Sequence, residues 1–339
     1  MLRLLHLAMR LFAGASFLVA LTGRIGMLLP LGEWLAWVTP VVHTQDGIRA
    51  EEPDIFVYDG TRLVNLTHHF GNDIAPTWSP DGRLAWLSNR DGDFDVYVRQ
   101  RQGALNISQN DHGDFEPVWS NDGRLAWVSR NRQQGETVYV WDGKRVISVG
   151  NAVAIQNRSL AWSSDGSLRW LGLNGLSGTI HVWNDGETTR TPLDVTSLLS
   201  LSWSPDGKLA WITRNALDER SLYLLDVDSG GQPLLLQRGL WISDLIAWSR
   251  DGRLAWGELS PGRTFRIVVW QDRQQVTIPV EGFVHSLRWS QDGRLLWIDA
   301  SRAPIGVMRV WDGRVTQVID EDVRNLTQPL WSQRGQVVW

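Results

Sequence analysis

The motif Trp-Ser-x-Asp-Gly occurs six times in this chain of 339 residues, starting at Trp78, Trp119, Trp162, Trp203, Trp248 and Trp289, and a degraded copy starts at Trp331. Successive copies lie 41, 43, 41, 45, 41 and 42 residues apart. A second Trp follows each first one by eight residues, at Trp86, Trp127, Trp170, Trp211, Trp256, Trp297 and Trp339. These two positions hold 14 of the 21 Trp, so the aromatic content belongs to the repeat. A period of about 40–45 residues with recurring aromatic and turn residues is the signature of a β-propeller blade.

One repeat, Pro76 to Gln109, shows how a blade is built. Thr77-Trp78 ends strand A and Ser79-Pro80-Asp81-Gly82 is a tight turn. Pro fixes φ, Asp caps its own backbone and Gly supplies a positive φ. Arg83 to Ser88 is strand B. A three-residue loop with a Gly bulge sets Trp78 opposite Leu84, and alternation puts Trp86 on the same face. The paired Trp residues are therefore expected as an aromatic core layer rather than a ligand cage. Asp95 to Val98 is strand C, with equivalents ending at Trp141, Trp183, Leu225, Trp270 and Trp311; Asp-Gly turns at Asp142-Gly143 and Asp312-Gly313 lead into strand D.

The ends of the chain give the blade count. Ile55 to Gly60 aligns with strand C and Arg62 to Thr67 with strand D, with no strand A or B ahead of them. Leu330-Trp331 and Gln336 to Trp339 supply the missing pair. The expectation is a seven-bladed all-β propeller over 54–339, made of four-stranded blades, with one composite blade joining both termini and removing free edges.

Ahead of the repeats, Arg3 and Arg10 precede an uncharged run from Leu11 to Gly23, and a second apolar stretch, Ile25 to Val42, is interrupted by Glu33. Residues 1–42 are expected to be a helical signal-anchor or a signal peptide followed by a juxtamembrane apolar segment, and 43–53 a linker. Either alternative leaves Arg3 and Arg10 inside and the propeller outside the cytoplasm, at the membrane. A net charge of −4 gives no basic stripe for nucleic acid, and the lack of cysteine excludes disulfides and thiolate metal sites.

Polar residues concentrate in the first two loop sectors, which in a propeller meet ligands. The candidate binding-face residues are His68, His69, Asp73, Arg90, Asp91, Asp93, Asp111, His112, Asp114 and Glu116, with His285 on a later strand A. His69, His112 and His285 are the candidate metal ligands of an alternative in which the protein is a metal-dependent polysaccharide lyase or hydrolase. The blander expectation is a solvated face rich in turn-forming Asp and Gly, with no cofactor and no catalytic residue.

The segments Pro76-Thr-Trp-Ser-Pro-Asp-Gly82, Ser88-Asn-Arg-Asp-Gly-Asp-Phe-Asp-Val-Tyr97, Asn106-Ile-Ser108 and Phe115-Glu-Pro-Val-Trp119 resemble the WD-like propeller repeat of the TolB family. That resemblance covers residues 54–339. It implies a periplasmic scaffold that binds peptides and membrane proteins; related propellers belong to prolyl-oligopeptidase-type peptidases and oligogalacturonate lyases. The chain lacks the α/β domain of TolB and has no Gly-x-Ser-x-Gly elbow. The expected function is a non-catalytic scaffold at the cell envelope, monomeric, with a protein or peptide partner.

Overall fold

The computed structural model describes residues 35–323, apart from short stretches at 46–47, 59–62, 102, 132, 134, 176, 240–241, 260–263, 291 and 303–304, and then 330–331 and 337–338. Residues 1–34 of the segment expected as signal or anchor, and Trp339, therefore lie outside the described residues, whereas 35–42 form part of the first strand. Among the described residues no helix is long and apolar enough to cross a membrane.

Every described element is a strand. The first sheet has the order β1 (Leu35–Gln45), β2 (Ile48–Tyr58), β3 (Leu63–Asn65). Five four-stranded sheets and one of five strands follow. They are β4 (Asp73–Trp78), β5 (Leu84–Ser88), β6 (Asp95–Arg99) and β7 (Ala104–Asn106), then β8 (Gly113–Trp119), β9 (Leu125–Asn131), β10 (Gly135–Trp141) and β11 (Val146–Ala152). Next come β12 (Ala154–Ile155), β13 (Ala161–Trp162), β14 (Leu168–Asn174), β15 (Ser177–Asn184) and β16 (Glu187–Asp194), then β17 (Leu198–Trp203), β18 (Lys208–Arg214), β19 (Arg220–Asp226) and β20 (Leu234–Gly239). The last two are β21 (Ile242–Trp248), β22 (Leu254–Leu259), β23 (Phe265–Gln271) and β24 (Gln274–Pro279), then β25 (Val284–Trp289), β26 (Leu295–Arg302), β27 (Ile305–Trp311) and β28 (Thr316–Val323). A two-stranded hairpin, β29 (Leu330–Trp331) with β30 (Val337–Val338), ends the chain. The chain forms two compact units, one of Trp34–Thr213 with Leu224–Pro233, the other of Arg214–Tyr223 with Leu234–Trp339.

The turn after each first Trp is built as its residues require. Ser79 N–H donates to the Arg83 carbonyl at 2.8 Å and Gly82 N–H to the Ser79 carbonyl at 3.0 Å, with Gly82 at φ 84°. A side chain would be strained there. The Ser hydroxyl takes the Arg83 N–H at 2.7 Å and donates to Asp81 at 2.5 Å. Ser thus carries much of the capping expected of the Asp. Asp81 turns mainly to Ser79 and Arg83, whose hydrogen bonds hold its carboxyl below the usual range. The expected register is present: Trp78 faces Leu84, and Trp119, Trp203 and Trp248 face Leu125, Leu209 and Leu254.

The two Trp of a repeat part company in their packing. The second is core: Trp86, Trp127, Trp170, Trp256 and Trp297 are almost completely buried. The first is half-buried. Its indole N–H instead reaches back to the preceding repeat: Trp119 to the Thr77 carbonyl at 3.1 Å, Trp162 to Val118 at 3.1 Å, Trp203 to Ser159 at 2.7 Å and Trp289 to Ala247 at 3.2 Å. One aromatic fills a sheet's core and the other ties neighbouring sheets together.

Two expectations are corrected. Residues 43–53, read as a linker, lie almost wholly in β1 and β2, with Leu35 opposite Tyr58 and Gln45 opposite Ile48. The same pairing gives β2 its neighbour from the N-terminal side, where a C-terminal strand had been expected. The physical cause is local: a two-residue connection joins eleven-residue strands, so loop closure costs far less than recruiting a strand from the far end of the chain.

Candidate functional site

Phe94, β8, β9 and the β12–β13 connection enclose an open cleft of about 620 Å³, a volume suited to a small ligand or a peptide side chain with its backbone. β8 shapes it. The register between β8 and β9 shifts between Phe115 and Val118, and Glu116 adopts φ 55° in that bulge. Bulges re-aim side chains. Ala75 holds the same place in β4 at φ 52°, so the strained backbone belongs to the repeat and only the carboxylate is particular to Glu116.

The two acids of β8 differ. Asp114 is 3% exposed and takes weak hydrogen bonds from the Asn110 amide at 3.4 and 3.5 Å. Burial pushes its pKa up to about 6, against the pull of Ser108, Ser129 and Asn110. Glu116 Oε1 accepts the backbone N–H of Arg158, while Oε2 is buried without a hydrogen-bond partner. Burial raises its carboxyl too, opposed by the backbone N–H groups of Arg158 and Leu160. Arg130 lies 4.7 Å over the Phe115 ring and pairs with the buried Glu136 at 2.5 Å, so its charge is already met. Arg158 and Asn157 are exposed on the cleft wall.

The other sequence candidates are placed as follows. Asp73 is fully buried and takes the Trp86 indole N–H at 3.0 Å and Arg90 at 2.8 Å. Arg90 also lies 4.7 Å over the Tyr97 ring. Asp91 accepts the Tyr97 hydroxyl, which with burial drives that phenol's pKa upward. One oxygen of Asp93 is buried without a partner. These four work inside the β4–β7 sheet and its loops. His68 is exposed, 3.9 Å from the buried Asp54, and the His69 ring meets the Phe70 carbonyl at 2.7 Å. Asp111 is exposed, and the His112 ring contacts the Asn131 amide. His285 is exposed, 6.0 Å from Phe283, and belongs to the other compact unit. Among the described residues no three His, Asp or Glu side chains are gathered to hold a metal ion.

Of the eleven candidates, the cleft therefore takes only Asp114 and Glu116. Phe94, Arg130, Asn157 and Arg158 were not singled out. The signal for the site lay in setting Phe115-Glu116-Pro117 against Ile74-Ala75-Pro76, where a carboxylate replaces a methyl group at one fixed position of the repeat.

No known family model matches the chain, and no curated protein matches it. Solved structures do. The β-propeller domain of the Trilobed protease from Pyrococcus furiosus is similar at TM-score 0.54 and 16% identity, over 87% of this chain and 97% of that one. A puromycin-hydrolyzing peptidase of Mycobacterium tuberculosis is similar at TM-score 0.55 and 16% identity, over 89% of this chain, which spans 58% of the peptidase. TolB from Acinetobacter baumannii matches at TM-score 0.45 and 15% identity, over 85% of this chain and 81% of that one. At such identities the likeness defines the class by fold: the protein is a β-propeller, built of antiparallel sheets.

Proposed function

We propose that this protein is a non-catalytic propeller scaffold of the TolB-like kind, anchored to the membrane by its N-terminal segment and displayed outside the cytoplasm, where it binds a protein or peptide. The observation that carries this reading is the cleft beside β8. It combines aromatic walls with charged groups that are not arranged as a nucleophile and base. Propeller neighbours that belong to peptidases support a role in handling polypeptide, since a propeller can present a binding face. We further propose seven blades: the six sheets from β4 to β28, and a seventh built on β1–β3.

The test is site-specific photo-cross-linking in native membranes. A photoreactive residue at Asn157, on the cleft wall, is expected to give a discrete protein adduct, and one at the exposed Val276, on a strand of the other unit, is not. Equal labelling from both positions, or no adduct from Asn157, overturns the scaffold reading.

A further inference from the structure

We propose that the turn between β12 and β13 is a pH-sensitive wall of the cleft. It stays shut on Glu116 while that carboxyl is protonated, and its tip, Asn157–Arg158, swings clear when the carboxyl ionises. The inference rests on the cleft being the binding site of the scaffold and adds how access to it is regulated.

The wall is a departure from the repeat. The strand that runs into the first Trp is continuous in β4, β8, β17, β21 and β25, but in the third repeat it is cut into β12 and β13, with residues 156–160 between them. The ends of this turn are fastened. Gln156 N–H donates to the Leu171 carbonyl at 2.9 Å and Ser159 N–H to the Gln156 carbonyl at 3.1 Å, while the Ser159 hydroxyl accepts the Leu171 N–H at 3.2 Å. The tip is exposed, and Glu116 accepts the Arg158 N–H from across the cleft floor. Arg158 stands at φ 61°, whereas Ile74, Phe115, Leu199, Asp244 and His285, each four residues before Trp in its own repeat, have no positive φ. A side chain is rarely held there without a contact that fixes it, so the tip has a relaxed conformation to move to.

Shutting the turn buries the carboxyl that holds it. One oxygen of Glu116 meets Arg158, and the other is buried without a hydrogen-bond partner. Ionised, the group is a buried charge that is only partly met; protonated, it is neutral and costs less. Burial is the largest influence and raises the carboxyl above its usual range, against the pull of the Arg158 and Leu160 N–H groups. The surrounding charges do not reverse this. Arg158 on the tip favours the ionised form and Glu136 on β10 opposes it. Arg130 on β9 is paired with Glu136, and Asp114, two residues away on β8, is a further acid. The shut wall therefore binds the proton more tightly than the open one. Acid favours the shut form, and rising pH favours the open form.

The experiment is hydrogen exchange of the purified full chain in detergent, read at residues 156–160 with β9 as reference, from about pH 4 to about pH 8 with intrinsic rates divided out. Protection at 156–160 is expected to fall several-fold as pH rises while β9 is unchanged. In Glu116→Gln, which keeps an acceptor but does not titrate, it is expected to stay level. Level protection in the wild-type chain overturns the inference, as does a fall that β9 shares or one that survives in Glu116→Gln. If that variant does not fold, Glu116→Ala takes its place, since β4 carries Ala75 at the same point of its bulge; its protection is expected to be low and level, and a fall that survives there also overturns the inference. The two readings fail separately. A specific adduct from Asn157 without pH-dependent protection keeps the scaffold and removes the gate. A pH-dependent wall without any adduct does the reverse.

Discussion

His181 occupies the place opposite the buried Trp of its repeat that Tyr97 and Tyr139 hold in the two preceding repeats. It stacks on Trp170 with ring centroids 4.9 Å apart and planes 11° from parallel, and it is 4% exposed. Burial first, and the charge of Arg190 second, lower its pKa to about 4 from 6.5. The unfolded chain therefore binds this proton more readily than the folded one, and acidification from pH 6.5 to 4 withdraws stability. The full effect is up to about 3 kcal/mol. Asp114 acts in the opposite sense. Its folded pKa of about 6 stands above 3.8, so its contribution is complete below pH 3.8 and disappears as pH rises through 6. His181→Phe should flatten the acid side of a urea-midpoint profile between pH 4 and 6.5, and Asp114→Asn should steepen it. A His181→Phe profile parallel to wild type would show that this ring does not couple to folding.

At the scale of elements, the turn arginines join repeat to repeat. Arg83 donates to the carbonyl of Gly123, in the next repeat's turn, at 2.9 Å and lies 4.7 Å over Trp119. Arg124 does the same to Gly166 at 2.9 Å and Trp162 at 4.6 Å, and Arg253 to Gly293 at 2.9 Å and Trp289 at 4.4 Å. The arrangement offers a clean comparison. Gly82 and Gly123 share φ 84° and 85°, but a Cβ on Gly82 meets open space, whereas one on Gly123 would stand 2.3 Å from the Arg83 guanidinium. Gly82→Ala should cost about 1–2 kcal/mol for the left-handed backbone alone. Gly123→Ala should cost roughly 1–3 kcal/mol more, because Arg83 loses its carbonyl and its ring. Equal losses in urea unfolding would refute the relay.

The same contrast explains what could be read from the amino-acid order. Turn and register depend on residues within ten positions of each other, and they fell where Trp-Ser-x-Asp-Gly placed them; of the expected Trp layer only the second Trp of each pair is core, because the first bonds a carbonyl 42 to 44 residues back. The arginine relay spans about forty residues, and Arg83 beside Asp81 looked like any solvated turn. The cleft was half legible for the same reason. Asp114 and Glu116 share one strand, but Phe94, Arg130 and Arg158 reach it from other strands and loops. β1 was hidden differently: its apolar residues continue a stretch that reads as membrane-related, and composition does not distinguish the two uses.

For the whole molecule, the third repeat breaks the relay pattern and mends it from a distance. Ser167 stands where Arg83 and Arg124 stand, and Arg169 takes a position held by Ala85, Ala126, Ala210 and Ala255. Arg169 is 1% exposed, yet its guanidinium still meets the next turn, at the Gly207 carbonyl 3.1 Å away, and Ser163 at 2.7 Å. Its charge is met by Asp228, at 3.1 and 2.8 Å, from the connection between β19 and β20. Asp228 lies in Leu224–Pro233, the short stretch that completes the compact unit begun by Trp34–Thr213. Repeat arrays ordinarily tolerate truncation between units, since each repeat leans on its neighbours. Here a cut after Thr213 removes the closer carboxylate and leaves the buried guanidinium only the half-exposed Asp165, 3.7 Å away, a loss of about 1–3 kcal/mol, while a cut after Pro233 keeps Asp228. The shorter fragment should therefore show weak amide protection in hydrogen exchange and the longer one strong protection. Restoring the pattern of the other repeats with Ser167→Arg and Arg169→Ala together should narrow that difference, because no buried charge then waits for Asp228. If the double substitution leaves the gap between the fragments unchanged, the stability of the longer one comes from the pairing of β19 beside β18 and not from the Arg169–Asp228 pair.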